Sequence, residues 1–134
     1  MPWTVAWLDP DLRIYDTTIS SPFTKQDEAA FYAAWFDFVG GASAPLYALF
    51  DVANWDKGSD FSRLLDRRFA KMGRYRDKIR VIAMVSHHDR FAQTVARIGA
   101  RMLGRPAWFQ FFDDREEAIA FLREQASAGI NEQR

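Results

Sequence analysis

The chain has 134 residues, 49% hydrophobic and 16% aromatic, with 18 basic against 18 acidic side chains and no cysteine. That length suits one well-packed domain and is too short for two ordinary ones. The balanced charge argues against a general nucleic-acid binder, and the absence of cysteine excludes disulfides, thiolate catalysis and cysteine-based zinc sites.

Met1-Pro2-Trp3-Thr4 lacks the basic and apolar regions of a secretory signal, and no apolar run approaches the ~20 residues that cross a bilayer. A soluble cytoplasmic domain is the expectation. Val5 to Leu8 and Leu12 to Ile19 flank Asp9-Pro10-Asp11, residues that suit a tight turn, and predict an antiparallel hairpin. In its second arm Leu12 and Ile14 alternate with Arg13 and Tyr15, which suggests one covered face. Thr24 and Asp27 have the spacing of a capping box at a helix start. Phe31, Trp35 and Phe38 follow at helical spacing, and Gly40-Gly41 closes the segment.

Three apolar runs then alternate with helix-like segments: Leu46 to Val52, Ile79 to Val85 and Ala107 to Phe112. Runs of that length, apolar nearly throughout, fit strands buried on both faces and paired in parallel through crossovers. The helices between them carry Phe61, Leu64, Leu65, Phe69 and Met72, then Phe91, Val95, Ile98 and Met102. Within the last strand, Phe109 and Phe111 should point one way and Trp108, Gln110 and Phe112 the other. Asp113, Asp114, Glu116 and Glu117 suit the positive end of a final helix holding Ile119 and Leu122. From Ser127 the sequence turns polar and is expected to fray. The predicted architecture is a single α/β domain over 1–134, with its core at about 3–126. Its mixed central sheet joins an N-terminal hairpin to three mainly parallel strands, with about four helices.

The strands "LFDV" (49–52) and "DKIRVIAMVS" (77–86) and the closing "WFQFFDDREEAIAFL" (108–122) resemble the SpoIIAA-like family of the STAS superfamily over roughly Pro45 to Leu122. The resemblance rests on order, spacing and hydrophobic pattern rather than on a catalytic motif. It implies a non-enzymatic module that binds a small apolar or amphipathic, lipid-like ligand, or a regulatory protein. In related regulators a phosphorylatable Ser or Thr follows the first buried strand, and Ser59 is the nearest positional match. The loop reads Asp56-Lys57-Gly58-Ser59-Asp60 rather than Asp-Ser-Ser-Gly, a departure that favours Ser59 as a helix cap over a phosphosite.

The loops after the parallel strands gather at one sheet edge, where α/β proteins place their sites. Trp55, Phe61, Ser86, His87 and His88 are the candidate ligand-binding residues there. His87-His88-Asp89 has the residue types for metal binding or proton transfer, but adjacent side chains diverge in extended chain and Asp89 also suits a helix cap. No metal or cofactor is implied, because no phosphate loop, dinucleotide fingerprint or nucleophile elbow is present. Asp51, at a strand end, should bond backbone amides of the next loop. The basic stretches Arg67 to Arg80 and Arg97 to Arg105 read either as phosphate contacts or as solvated helix faces balanced by nearby acids. The aromatic surplus is compatible with a homodimer, without indicating which surface.

Overall fold

The computed structural model describes residues 2–55, 71–86, 97, 101, 104 and 108–132. In chain order they form β1 (Trp3–Asp9), β2 (Ile14–Ile19), α1 (Lys25–Gly41), β3 (Leu46–Asp51), a short 3-10 turn at Gly73–Tyr75, β4 (Ile79–Val85), β5 (Phe109–Phe112) and α2 (Arg115–Glu132). The five strands lie side by side in sequence order. β1 runs antiparallel to β2, and each later neighbour is parallel, β2 with β3 included. Two long helices occur among the described residues rather than about four. The other two expected helices, near 59–72 and 89–102, fall mostly outside them.

Each sheet face carries its own core. On the α1 side, Tyr15, Ile19, Leu46, Ala48, Ile79 and Met84 pack with Phe31, Tyr32, Trp35 and Val39 of the helix. On the α2 side, Ile14, Tyr47, Leu49, Ala83 and Val85 meet Ala118, Ile119, Leu122 and Ala126. Alternating side chains of one strand thus serve opposite cores, which is why β3 and β4 are apolar almost throughout. The same geometry corrects the one-sided reading of β2. Tyr15 is 1% exposed, because β2 is an interior strand covered on both faces. Trp108 also departs from expectation: it precedes β5, outside the strand alternation, and joins Phe109 and Phe111 on the α1 side. Its indole N–H donates to the Ile79 carbonyl at 3.0 Å.

The capping box at Thr24 is present in both directions: Asp27 N donates to Thr24 Oγ1 at 3.1 Å and Thr24 N donates to Asp27 Oδ2 at 2.9 Å. α1 runs through Gly41, and Lys78 closes its far end by donating from Nζ to the carbonyls of Val39, Gly40 and Ala42 at 3.0, 3.2 and 2.7 Å. A cation there satisfies orphan carbonyls and meets the negative helix end. At the other end of the chain, α2 continues to Glu132 instead of fraying at Ser127. Gly129 is what lets this last stretch sit close to the sheet, since a Cβ there would collide with the Tyr47 hydroxyl.

Arg13 pins the hairpin turn to the α1–β3 connection. Its Nε donates to the Pro45 carbonyl at 2.9 Å, its Nη2 to the Ser43 carbonyl and hydroxyl, and the guanidinium lies over the Trp7 ring at 5.5 Å. These contacts hold a non-glycine residue at φ 62°, a conformation costing about 1–2 kcal/mol. Arg13→Ala keeps that strain and loses the contacts, so it should destabilise by about 2 kcal/mol. Arg13→Gly should lose about 1 kcal/mol less, because it removes the strain; urea melts of the two variants check the order.

Burial drives the Tyr15 phenol well above its ordinary pKa, and a hydrogen bond from the Trp35 indole offsets only part of that. Its contribution to stability is complete below the unfolded value, about 10, and is lost as pH rises toward the higher folded value. Urea midpoints measured from neutral pH to above 10 should therefore fall at the alkaline end, and less steeply in Tyr15→Phe.

Candidate functional site

The strand ends Ile19, Asp51, Val85 and Phe112 define the carboxyl edge of the parallel part of the sheet. The loops leaving it are tied together by backbone bonds: Ser21 N donates to the Asn54 carbonyl at 3.1 Å, Val52 N to Val85 at 3.0 Å and Ser86 N to Phe112 at 3.1 Å. The two sides of this edge differ in chemistry.

On the α2 side lies an ionic cluster. Arg115, the first residue of α2, donates from Nη2 to Asp16 Oδ2 at 2.9 Å and from Nη1 to Asp51 Oδ2 at 3.0 Å and Thr18 Oγ1 at 3.2 Å. Thr18 Oγ1 in turn donates to Asp16 Oδ1 at 2.6 Å. Asp16 and Thr18 share a face of β2 by two-residue spacing, and Thr18 stands opposite Asp51 in the β2–β3 register. Asp51 Oδ1 accepts from Ala53 N at 3.1 Å, the backbone role expected from its strand-end position. The carboxylate side chains are only 13% and 10% exposed. Partial burial acts against the charged guanidinium of Arg115, but the hydrogen bonds and charges of Asp16 and Asp51 outweigh it and raise its pKa above the ordinary value. Both carboxylates are thereby engaged by one cation, so the cluster clamps α2 to β2 and β3 rather than presenting a free base.

On the α1 side the edge is apolar. Val52 and Trp55 belong to the core with Ile19 and Met84, and Trp55 packs edge-to-face on Phe23 with ring centroids 5.4 Å apart. Trp55 is only 4% exposed, so its indole is part of this packed layer instead of standing free at the rim. Ser86 continues the β4–β5 ladder one step beyond Val85. Strand alternation then directs it to the side of Met84. Ser86 is 0% exposed, and its hydroxyl has no hydrogen-bond partner among the described residues. Thr17, on the same side of β2 between Tyr15 and Ile19, is the other buried hydroxyl without a partner among the described residues.

Of the residues singled out by sequence, the structure brings Trp55 and Ser86 to one side of the edge and Asp51 to the other. Phe61, Ser59, His87 and His88 lie outside the described residues. Asp16, Arg115 and Thr17 were not legible as site residues. The one available signal was a carboxylate two positions after the covered Ile14, which places a charge where the strand pattern calls for an apolar group. Of the basic stretches, Lys78 caps α1, whereas Arg74, Arg76 and Arg80 are exposed. Arg97 lies over the Phe111 ring at 4.9 Å. Among the described residues no group of three or more His, Asp or Glu side chains is arranged to hold a metal ion, and no helix is long and apolar enough to cross a membrane. Comparison of the chain with protein-family models, curated proteins and solved structures gave no match.

Removing Arg115 leaves two carboxylates facing each other with little access to water. Arg115→Met should destabilise by about 2–3 kcal/mol, below the full penalty for a buried pair because the guanidinium is one-third exposed. Adding Asp16→Asn and Asp51→Asn to that variant should recover part of the loss. Chemical denaturation of the single and triple variants measures both effects.

Proposed function

We propose that the protein is a non-enzymatic, STAS-like binding module that takes a small apolar or amphipathic ligand at the carboxyl strand edge, on the α1 side. The observation that supports this most is the Ser86 hydroxyl, wholly buried beside apolar Val52 and Met84 and without a partner among the described residues. A buried hydroxyl left unpaired costs about 1–3 kcal/mol. A ligand that brings one hydrogen-bonding group to Ser86 removes that cost, and its hydrocarbon part matches the surrounding Val52, Trp55 and Met84. A lipid-like molecule with a carboxyl or ester head has both features, and the resemblance to SpoIIAA-like domains points to the same class.

The non-enzymatic reading draws on the ionic cluster, where Arg115 engages both Asp16 and Asp51. A competing proposal, a protein-interaction switch driven by phosphorylation at Ser59, has no observation among the described residues that favours it. A cytoplasmic setting agrees with the composition.

Native mass spectrometry of gently purified protein should retain an acyl-type ligand, and fatty acids or lysophospholipids should raise the melting temperature. Ser86→Ala should leave the ligand-free protein as stable as before or about 1 kcal/mol more stable, since no bond is lost. The same variant should reduce the ligand-induced shift. A panel that moves neither the unsubstituted protein nor Ser86→Ala, together with preparations that carry no added mass, would rule out the binding proposal.

A further inference from the structure

β1 is an edge strand with an outward backbone that the fold leaves without a neighbour among the described residues. Ser20 N donates to the Pro2 carbonyl at 2.7 Å, which fixes the parity of the β1–β2 ladder. With the observed register, Thr4–Thr18 and Ala6–Asp16 are the hydrogen-bonded pairs. Trp3, Val5 and Trp7 therefore turn their N–H and C=O groups toward the open side. Edge strands in natural proteins are commonly blunted by charge or proline. From Trp3 to Leu8, β1 has neither, and Trp7 remains 38% exposed.

α1 accompanies this edge. Trp3 meets Phe31 with ring centroids 6.1 Å apart, and Trp7 meets Phe38 at 4.9 Å. The helix thus runs alongside β1 in the same direction, with Ala34 level with Val5. Helical spacing puts Ala34, Gly41 and Ala30 on the flank next to Phe38 and away from the buried stripe of Phe31, Trp35 and Val39. Ala30 and Gly41 are exposed and Ala34 partly so. The flank over the open edge has small side chains at its middle, with Asp27 toward one end of the helix and Asp37 beside it toward the other.

We propose that this edge is occupied by a second copy of the chain, with the two β1 strands antiparallel about a two-fold axis at Val5. In that register Val5 faces the partner's Val5, and Trp3 faces the partner's Trp7. All three outward residues then form doubly hydrogen-bonded pairs, whereas an axis shifted by one residue leaves one of the three without a partner. The exposed indole of Trp7 gains an aromatic cross-strand neighbour on the α1 side. The same axis brings Ala34 against the partner's Ala34, where a methyl group lets the two helices approach closely. Strand and helix are centred on one axis for separate reasons, and this self-complementarity selects a second copy over an unrelated peptide strand. The interface is isologous and closed, and it joins two five-stranded sheets into one.

Analytical ultracentrifugation should find twice the 15.5 kDa chain mass at micromolar concentration. The absence of cysteine permits a direct test of register. Thr4 and Ala6 are exposed, and Thr4 would face the partner's Ala6 in a non-hydrogen-bonded pair with a Cα separation of about 4.5 Å, within disulfide reach. A mixture of Thr4→Cys and Ala6→Cys proteins should therefore oxidise to a covalent dimer much faster than either alone. Ala34→Glu sets like charges at the axis and should give a monomer with an unchanged far-UV circular dichroism spectrum. Should that variant misfold, the exposed Ala30→Glu serves instead, because it sets a carboxylate near the partner's Asp37 across the same axis. A monomer at millimolar concentration would overturn the proposal. So would a dimer that neither charge variant weakens, or one whose mixed cysteine proteins cross-link no faster than the single ones.

Discussion

The Arg115 guanidinium ties together three parts of the chain that sequence separates widely. It reaches carboxylates on two neighbouring strands and a hydroxyl between them, all from the first residue of the last helix. Parallel strands have no tight turn to align their ends, so the ends must be held by contacts that cross the crossovers. Here an ion pair does this on the α2 side, and backbone bonds between Val52, Val85, Ser86 and Phe112 do it along the edge itself. The charges are tolerated because each carboxylate oxygen facing the interior meets a donor. With both acids engaged on this side, the opposite side of the sheet edge differs in character.

That opposite side is built from aromatic packing. Phe23, Phe31, Tyr32, Trp35, Trp55 and Trp108 join one layer with the strand residues, and ring pairs such as Phe23–Trp55 and Trp35–Tyr75 meet edge-on. Such contacts add to area burial through the ring quadrupoles. Within this layer the hydroxyls of Ser86 and Thr17 are chemically discordant, because neither has a partner among the described residues and both are sealed from water. An unsatisfied polar group in an otherwise well-packed core is the local inconsistency expected where a fold keeps a place for something else. The ligand proposal takes its chemistry from that discordance rather than from a catalytic set.

The sheet's margins follow from the same economy of surface. A chain of this size exposes proportionally more of its area than a larger one. β1 has its inner face packed on α1, yet leaves one tryptophan partly in water and a row of backbone groups open. Arg13 covers part of the Trp7 ring and restrains the adjoining turn. A closed two-fold contact would remove the rest of that exposed edge without a further element in the chain.

Local pattern alone was enough for the hairpin, the Thr24–Asp27 cap, the three apolar strands and the backbone role of Asp51, because each depends on residues near in sequence. The pattern was insufficient wherever partners come from far along the chain. It read β2 as covered on one face, since nothing in Leu12 to Ile19 reveals that β3 lies beside it and a helix on each side. It expected fraying after Ser127, since the fit of Gly129 against Tyr47 joins residues of α2 and β3. Asp16 and Arg115 have no partner near in sequence; only the register sets one strand's acid beside another's and the helix start above both. Among the described residues, sequence determined which segments are strands and helices, through periodicity and capping. Tertiary structure alone decided which side chains share an edge, because that follows from pairing register across long crossovers, a property no local window contains.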